Sequence, residues 1–251
     1  MRVVFAIAGR DLGALLGSAG GRVVLAGFAA LAAAFWMALL DAYLVASQDA
    51  LFNPYAARQL NLSERLVAPF YGNLAVLLLL CIPAVSMRSF AEEQRQRTLE
   101  LLLCAPIRPV QIVLGKYLGV LGFVLLLLGV TMHLPLSLWL WGSPDLGVAL
   151  GGLLGMALLG GAVSALGLLA SASTDRQIVA LLLSLAASLG LWVLAWADAD
   201  PTSLWAQLSV SHHLRDMLRG MVRASDVAYF LLLSAVALVA THERVAASRW
   251  A

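Results

Sequence analysis

LGVALGGLLGMALLGGAVSALGLLASAST, residues 146–174, runs from Asp145 to Asp175 without one charged side chain. A helix needs about 20 consecutive apolar residues to cross a bilayer, and this stretch exceeds that length. Lipid offers no partner to a free backbone N–H or C=O, so a helix is the form it must take. The same criterion, carried outward, marks five more charge-free runs: 23–40 (extending to about 45), 66–87, 117–141, 177–197 and 227–242. The sixth is the shortest. Pro83 and Pro135 fall inside the second and third runs, and each predicts a kink because proline removes a backbone donor. The chain is therefore read as all-α and polytopic, with six transmembrane helices in a single domain spanning residues 1–251.

Composition supports this reading. The chain is 62% hydrophobic and 12% charged, with mean hydropathy +0.91. A soluble domain carries roughly 25% charged residues, so too little polar surface exists to cover a water-soluble globule, and no stretch remains for a separate soluble domain. The net charge of +2 is too small to imply nucleic acid. Cys81 lies in an apolar run and Cys104 follows a charged segment, which argues against a disulfide framework. The apolar stretch after Arg2 is broken by Arg10 and Asp11, unlike a signal peptide, and no prenylation or myristoylation motif is present.

Basic residues set the orientation. With six spans both termini lie on one side, which receives 11 of the 16 Lys and Arg residues. The other side receives Arg58, Arg65, Arg215, Arg219 and Arg223. The positive-inside rule then places both termini in the cytoplasm. The outer excess gathers in the last loop and needs its own explanation.

Residues 1–22 interleave Phe5, Ile7, Leu12, Leu15 and Leu16 with Arg2, Arg10 and Asp11, the pattern of an amphipathic helix lying on the cytoplasmic membrane surface. Small residues recur every four positions at Gly13/Gly17/Gly21, Gly115/Gly119, Gly151/Gly155 and Gly161/Ala165. Such spacing lets helices approach closely in lipid, and packing within the chain is the expected use.

The most polar stretch, 88–116, separates the second and third runs. Ser89 followed by Glu92 has the form of a capping box. Glu93 and Arg97 stand at i, i+4 in the favourable order, and Pro106 and Pro109 end the segment. The prediction is a short cytoplasmic helix over 88–105, polar at first and Leu-rich later (Leu99, Leu101, Leu102, Leu103). Its polar part is suited to seat on a soluble partner while its Leu part packs on the bundle.

The run from Ser89 through Thr98-Leu99-Glu100-Leu101-Leu102-Leu103 to Pro106, then Gln111-Ile112-Val113-Leu114-Gly115-Lys116-Tyr117, resembles the coupling-helix region of ABC-2 type permeases. The branch it looks most like is the gliding-motility-associated permease subunit, on His213-Leu214-Arg215-Asp216, Arg219-Gly220, Asp226-Val227-Ala228-Tyr229-Phe230 and the terminal Ser248-Arg249-Trp250. The resemblance implies the ABC-2 permease fold and a transmembrane permease that is not itself an enzyme. It implies two cytoplasmic ATPase copies that bind ATP and Mg, a second permease subunit, identical or homologous, and an accessory protein outside as an optional partner. The coupling residues would be Phe90, Glu92, Glu93, Arg95, Arg97, Thr98, Glu100 and Leu101. It implies the bacterial inner membrane, and an outer segment over 198–224 dipping into the membrane, which would account for the outer arginines.

Other polar residues admit other chemistry. A Walker A loop needs G-x-x-x-x-G-K-[ST], but Val110 stands at the first glycine position and Tyr117 follows Gly115-Lys116, so the motor is expected in another chain and no cofactor in this one. His212, His213, Met217 and Met221 present imidazole and thioether groups that suit copper. Related permeases in nitrous-oxide-reductase maturation make a permease for copper- or sulfur-related enzyme maturation the alternative function, against an amphipathic helix whose methionines face core or lipid. His133, near Pro135, is expected to bond a freed carbonyl. An intramembrane serine enzyme around Ser164 lacks the Gly-x-Ser-x-Gly pattern, so Ser164 is read as a packing residue. No channel filter is legible, and no charged lane selects a cargo.

Overall fold

The computed structural model describes residues 2–52, 61–97, 107–138, 145–196 and 203–247. Among these residues every regular element is helical. Helix α1 (Arg2–Gly17) is separated from α2 (Ala19–Phe52) by Ser18, whose Oγ donates to Leu15 O at 2.8 Å and accepts from Gly21 N at 2.9 Å. The amphipathic helix thus stops at Gly17, and residues 19–22 open the first span. A π-helical turn (Ser63–Val67) leads into α3 (Ala68–Ser86), which continues through Pro83.

Only Met87 stands between α3 and α4 (Arg88–Arg95), and its φ of −55° and ψ of −28° are helical. The capping box expected at Ser89 therefore does not form: a cap needs an extended residue at the helix start, and Ser89 already lies within α4. Helix α4 ends at Arg95, with Arg97 at φ +55°. Residues 98–106, and with them Thr98, Glu100, Leu101 and the rest of the Leu-rich half, lie outside the described residues, as do 198–202 of the outer segment.

Helix α5 (Pro109–Thr131) gives way at Met132 to α6 (His133–Ser137). The interruption answers to Pro135, which cannot donate to the Thr131 carbonyl four residues back. Helix α7 (Leu146–Ala172) is capped by Asp145, which accepts from Gly147 N at 2.8 Å. Helix α8 (Gln177–Val193) ends in a 3-10 turn (Leu194–Trp196). Two short helices, α9 (Leu204–Leu208) and α10 (Val210–Leu218), precede α11 (Ala224–Ala247).

Six helical segments are long and apolar enough to cross a membrane: Ala19–Phe52, Ser63–Arg95, Pro109–Ser137, Leu146–Ala172, Gln177–Trp196 and Ala224–Ala247. The six predicted spans are all present, but several helices run past the charges that bounded the charge-free runs. Lys116 lies two turns inside α5, and Asp226, Glu243 and Arg244 lie inside α11. A helix continues through a charge that finds a partner or reaches the interface.

The centre of the bundle is α7, whose span is 67% buried, flanked by α3 and α5; the spans of α2 and α8 are 17% buried. Small residues make α7 the centre. A Cβ at Gly152 would enter the Tyr71 ring, one at Gly160 would stand 2.6 Å from a Val124 methyl, and one at Gly167 would overlap Ser86 Oγ. Between apolar helices in lipid, dispersion from such close packing drives association, since burying apolar surface gains little there. Helix α2 is held by Trp36, which meets the Phe70 ring edge-on at 5.0 Å.

Candidate functional site

The sequence of α4, RSFAEEQR, places Phe90 and Ala91 inward and fully buried, whereas Arg95, Gln96 and Arg97 are exposed. Its first-turn donors are satisfied by another helix. Ser171 Oγ, near the end of α7, accepts from Phe90 N and from Ala91 N, each at 3.0 Å, and donates to Met87 O at 2.9 Å. Gln94 Nε2 donates to Ala172 O at 3.1 Å. One serine thus takes the place of a local cap and fixes the α3–α4 junction to the centre of the bundle.

The opposite side of α4 is fixed by Lys116 of α5. Its side chain is 2% exposed, yet its ammonium is provided for. Nζ donates to Ser89 O at 2.6 Å and to Glu93 Oε1 at 2.8 Å, lies 3.5 Å from Asp11 Oδ2 of α1, and sits 5.0 Å above the centre of the Phe90 ring. Arg10 adds a second cation, 2.9 Å from Asp11 and 3.5 Å from Glu93. A buried ammonium is tolerated only when paired and hydrogen-bonded, and here its partners come from two further helices, α1 and α4.

The glycines beside Lys116 let α1 come this close. A Cβ on Gly115 would lie 2.7 Å from Ile7 Cβ, and one on Gly119 would lie 3.1 Å from Asp11 Cβ and 3.2 Å from the Ala8 carbonyl. Residues 4–12 of α1 run alongside 115–122 of α5 in the same direction. The Gly115/Gly119 spacing is used for packing within the chain. Gly151 and Gly155 serve likewise, against Met217, Gly220 and Leu214, while Gly13 and Gly17 face open space.

The expected coupling residues divide accordingly. Phe90 is buried beneath Lys116. Glu93 turns inward to Lys116 and Arg10. Its expected i, i+4 pairing with Arg97 requires a helix through both positions, and the helix ends at Arg95. Glu92 is half-buried and accepts from Gln96 Nε2 at 3.3 Å. Arg95 and Arg97 are on the surface.

At the other end of the bundle, His213 donates from Nε2 to the Gln207 carbonyl at 2.9 Å, pairs through Nδ1 with Asp226 at 2.7 Å, and stacks on Tyr229 at 4.2 Å. Both ring nitrogens are engaged by protein oxygens. His212 meets His213 edge-on at 5.4 Å. Met217 is fully buried against Gly155, and Met221 is exposed beyond the end of α10, after Gly220 at φ +82°. The common helix face expected for His213, Met217 and Met221 therefore does not exist, because α10 ends at Leu218. His133 bonds the Val130 carbonyl through Nδ1 at 2.6 Å. Ser164 is fully buried and donates to Gly160 O at 2.6 Å within its own helix.

The model of a family described as ABC-2 family transporter protein matches residues 24–241, most of the chain. The chain belongs to this family. No curated protein matches it. It is accordingly a multi-pass permease component of an ABC transporter, of a family that associates with an ABC ATPase subunit. In this ABC-2 permease the residues that sequence reasoning passed over are Lys116, Asp11, Arg10 and Ser171. Lys116 carried a signal, a lone lysine at the mouth of an apolar span within a Gly-x-x-x-Gly pattern. Ser171 carried none.

Proposed function

We propose that this permease couples ATP hydrolysis in a separate cytoplasmic ATPase to export of a cargo or to mechanical work across the membrane, with α4 as the coupling element. The observation that carries the reading is Lys116, which joins the α4 backbone at Ser89, the α4 carboxylate at Glu93 and the α1 carboxylate at Asp11. A push on α4 from outside the bundle would reach α1 and α5 through this ammonium and α7 through Ser171. The ATPase seats on the exposed end of α4, at Arg95 and Arg97, and on the Thr98–Leu101 stretch that follows, while Phe90 and Glu93 transmit.

Two ATPase copies carrying ATP and Mg, and a second permease subunit, complete the assembly. The apolar outward faces of α2 (Val23, Leu31, Met37) and α8 (Ile178, Leu182, Leu183) suit a two-fold permease contact that α1 helps to form. By its end-of-chain residues the permease is assigned to the gliding-motility-associated branch. Both termini lie in the cytoplasm of a bacterial cell, α1 rides at the inner face, and the segment over 198–224 dips into the outer face.

Changing both Arg95 and Arg97 to Glu tests the seat. Charges at a partner surface govern register and affinity, so ATPase captured by the purified permease should fall by about tenfold or more with the thermal midpoint of the permease unchanged. Undiminished capture would remove α4 from the interface.

A further inference from the structure

A cavity of about 510 Å³ opens beside this network, lined on its polar side by Arg10, Asp11, Arg88, Glu92, Glu93 and Lys116. Four of these charges are spoken for: Lys116 and Arg10 neutralise Glu93 and Asp11. Two remain. Arg88 lies with its guanidinium against Gly20 of α2, 3.6 Å from where a Cβ would stand, and Glu92 accepts only the neutral Gln96 amide. Among the described residues neither forms an ion pair, although they stand one helical turn apart on α4. Arg placed N-terminal to Glu at i, i+4 is the less favourable order for pairing, which leaves a cation and an anion both open to the cavity. Ser18, Ser89 and Gln96 extend the polar side, and Ala14 and Leu15 of α1, Val85 of α3 and Val120 of α5 give the cavity an apolar wall.

We infer that this cavity binds a zwitterion bearing a phosphate and a primary ammonium separated by two carbons, the headgroup of phosphatidylethanolamine. Arg88 offers a planar fork of donors that matches phosphate, and Glu92 accepts from the ammonium, whose three N–H donors a quaternary amine lacks. Amphipathic α1 and the apolar wall place the site where a lipid's headgroup meets its chains. The inference needs no cargo and no ATPase, so its failure leaves the coupling proposal standing.

The test is native mass spectrometry of the purified full-length chain, titrated with dioleoyl phosphatidylethanolamine, phosphatidylcholine and phosphatidylglycerol. The ethanolamine lipid should bind about tenfold tighter than either, and Arg88→Gln and Glu92→Gln should each abolish that preference. Competition by soluble glycerophosphoethanolamine would support the site and make the headgroup alone sufficient. Absence of competition with the lipid preference intact would support it with the acyl chains as part of the ligand. Equal binding of the three lipids in the unaltered protein, tighter binding of phosphatidylglycerol, or a preference that survives in both variants would overturn it.

Discussion

Lys116→Met retains the length and apolar stem of the side chain and removes only its ammonium. The loss strips Glu93 of a 2.8 Å partner, Ser89 O of a 2.6 Å donor and Asp11 of a cation at 3.5 Å. Removing one member of a buried pair costs about 3–5 kcal/mol. The two carboxylate side chains retain 21% and 20% exposure and Arg10 remains beside both, so water and the second cation recover part of this and about 2–4 kcal/mol is expected. Met leaves the contact with Phe90 largely in place, so the cost is electrostatic. Glu93→Gln should cost less, because it leaves one oxygen to accept from Lys116. The double variant should fall short of the summed single effects by about 1–2 kcal/mol, as for groups in one network. Reversible unfolding in mixed micelles measures the stabilities, and ATPase stimulation in the reconstituted transporter measures coupling. In Lys116→Met the ATPase should still bind while its stimulation is lost. A stability change within about 0.5 kcal/mol, the range of an ordinary surface substitution, or strict additivity with Glu93→Gln, would refute Lys116 as the joint between α1, α4 and α5.

Gly115→Leu should push α1 away, because even its Cβ would stand 2.7 Å from Ile7 Cβ; a loss of about 1–3 kcal/mol and faster proteolysis near residue 10 are expected, and unchanged cleavage would contradict the docking. Ser171→Ala removes the acceptor for two backbone N–H groups and should cost about 1–3 kcal/mol, with amide exchange at Phe90 and Ala91 accelerated; Ser171→Thr should restore protection. For topology, a cysteine at Ser248, in a background with Cys81 and Cys104 replaced, should react with an impermeant maleimide only after the cells are opened, and labelling of intact cells would reject cytoplasmic termini.

How much of the region over 88–116 was legible differs from residue to residue. That a helix, polar at its start, opens at residue 88 between two spans follows from the charges there and from the apolar runs on either side; of the predicted 88–105 it is helical over Arg88–Arg95, and 98–106 lie outside the described residues. The error at Ser89 came from reading a local motif as a helix start, when the span before it had not ended. The error at Glu93 had the same origin: a neighbour four residues away on the same helix was assigned as partner, and the carboxylate instead took a lysine from another span. Local rules rank partners by sequence distance, whereas a buried charge goes to the partner it is packed against. The same holds at His213. Its spacing from Met217 and Met221 suggested one face, but Gly220 turns the chain and the ring goes to Asp226 on α11.

The sequence by itself determined that the chain spans the membrane six times, because length and the absence of charge decide whether a segment leaves water for lipid, and a helix closes its own backbone hydrogen bonds without help from the rest of the chain. It also determined the family, through the pattern across residues 24–241. Only the tertiary structure decided that Asp11, Glu93 and Lys116 meet, that Ser171 caps a helix 80 residues away, and that, of the charges lining the cavity, Arg88 and Glu92 form no ion pair among the described residues. Those pairings depend on how closely glycines let helices approach, and that distance is set by the whole bundle.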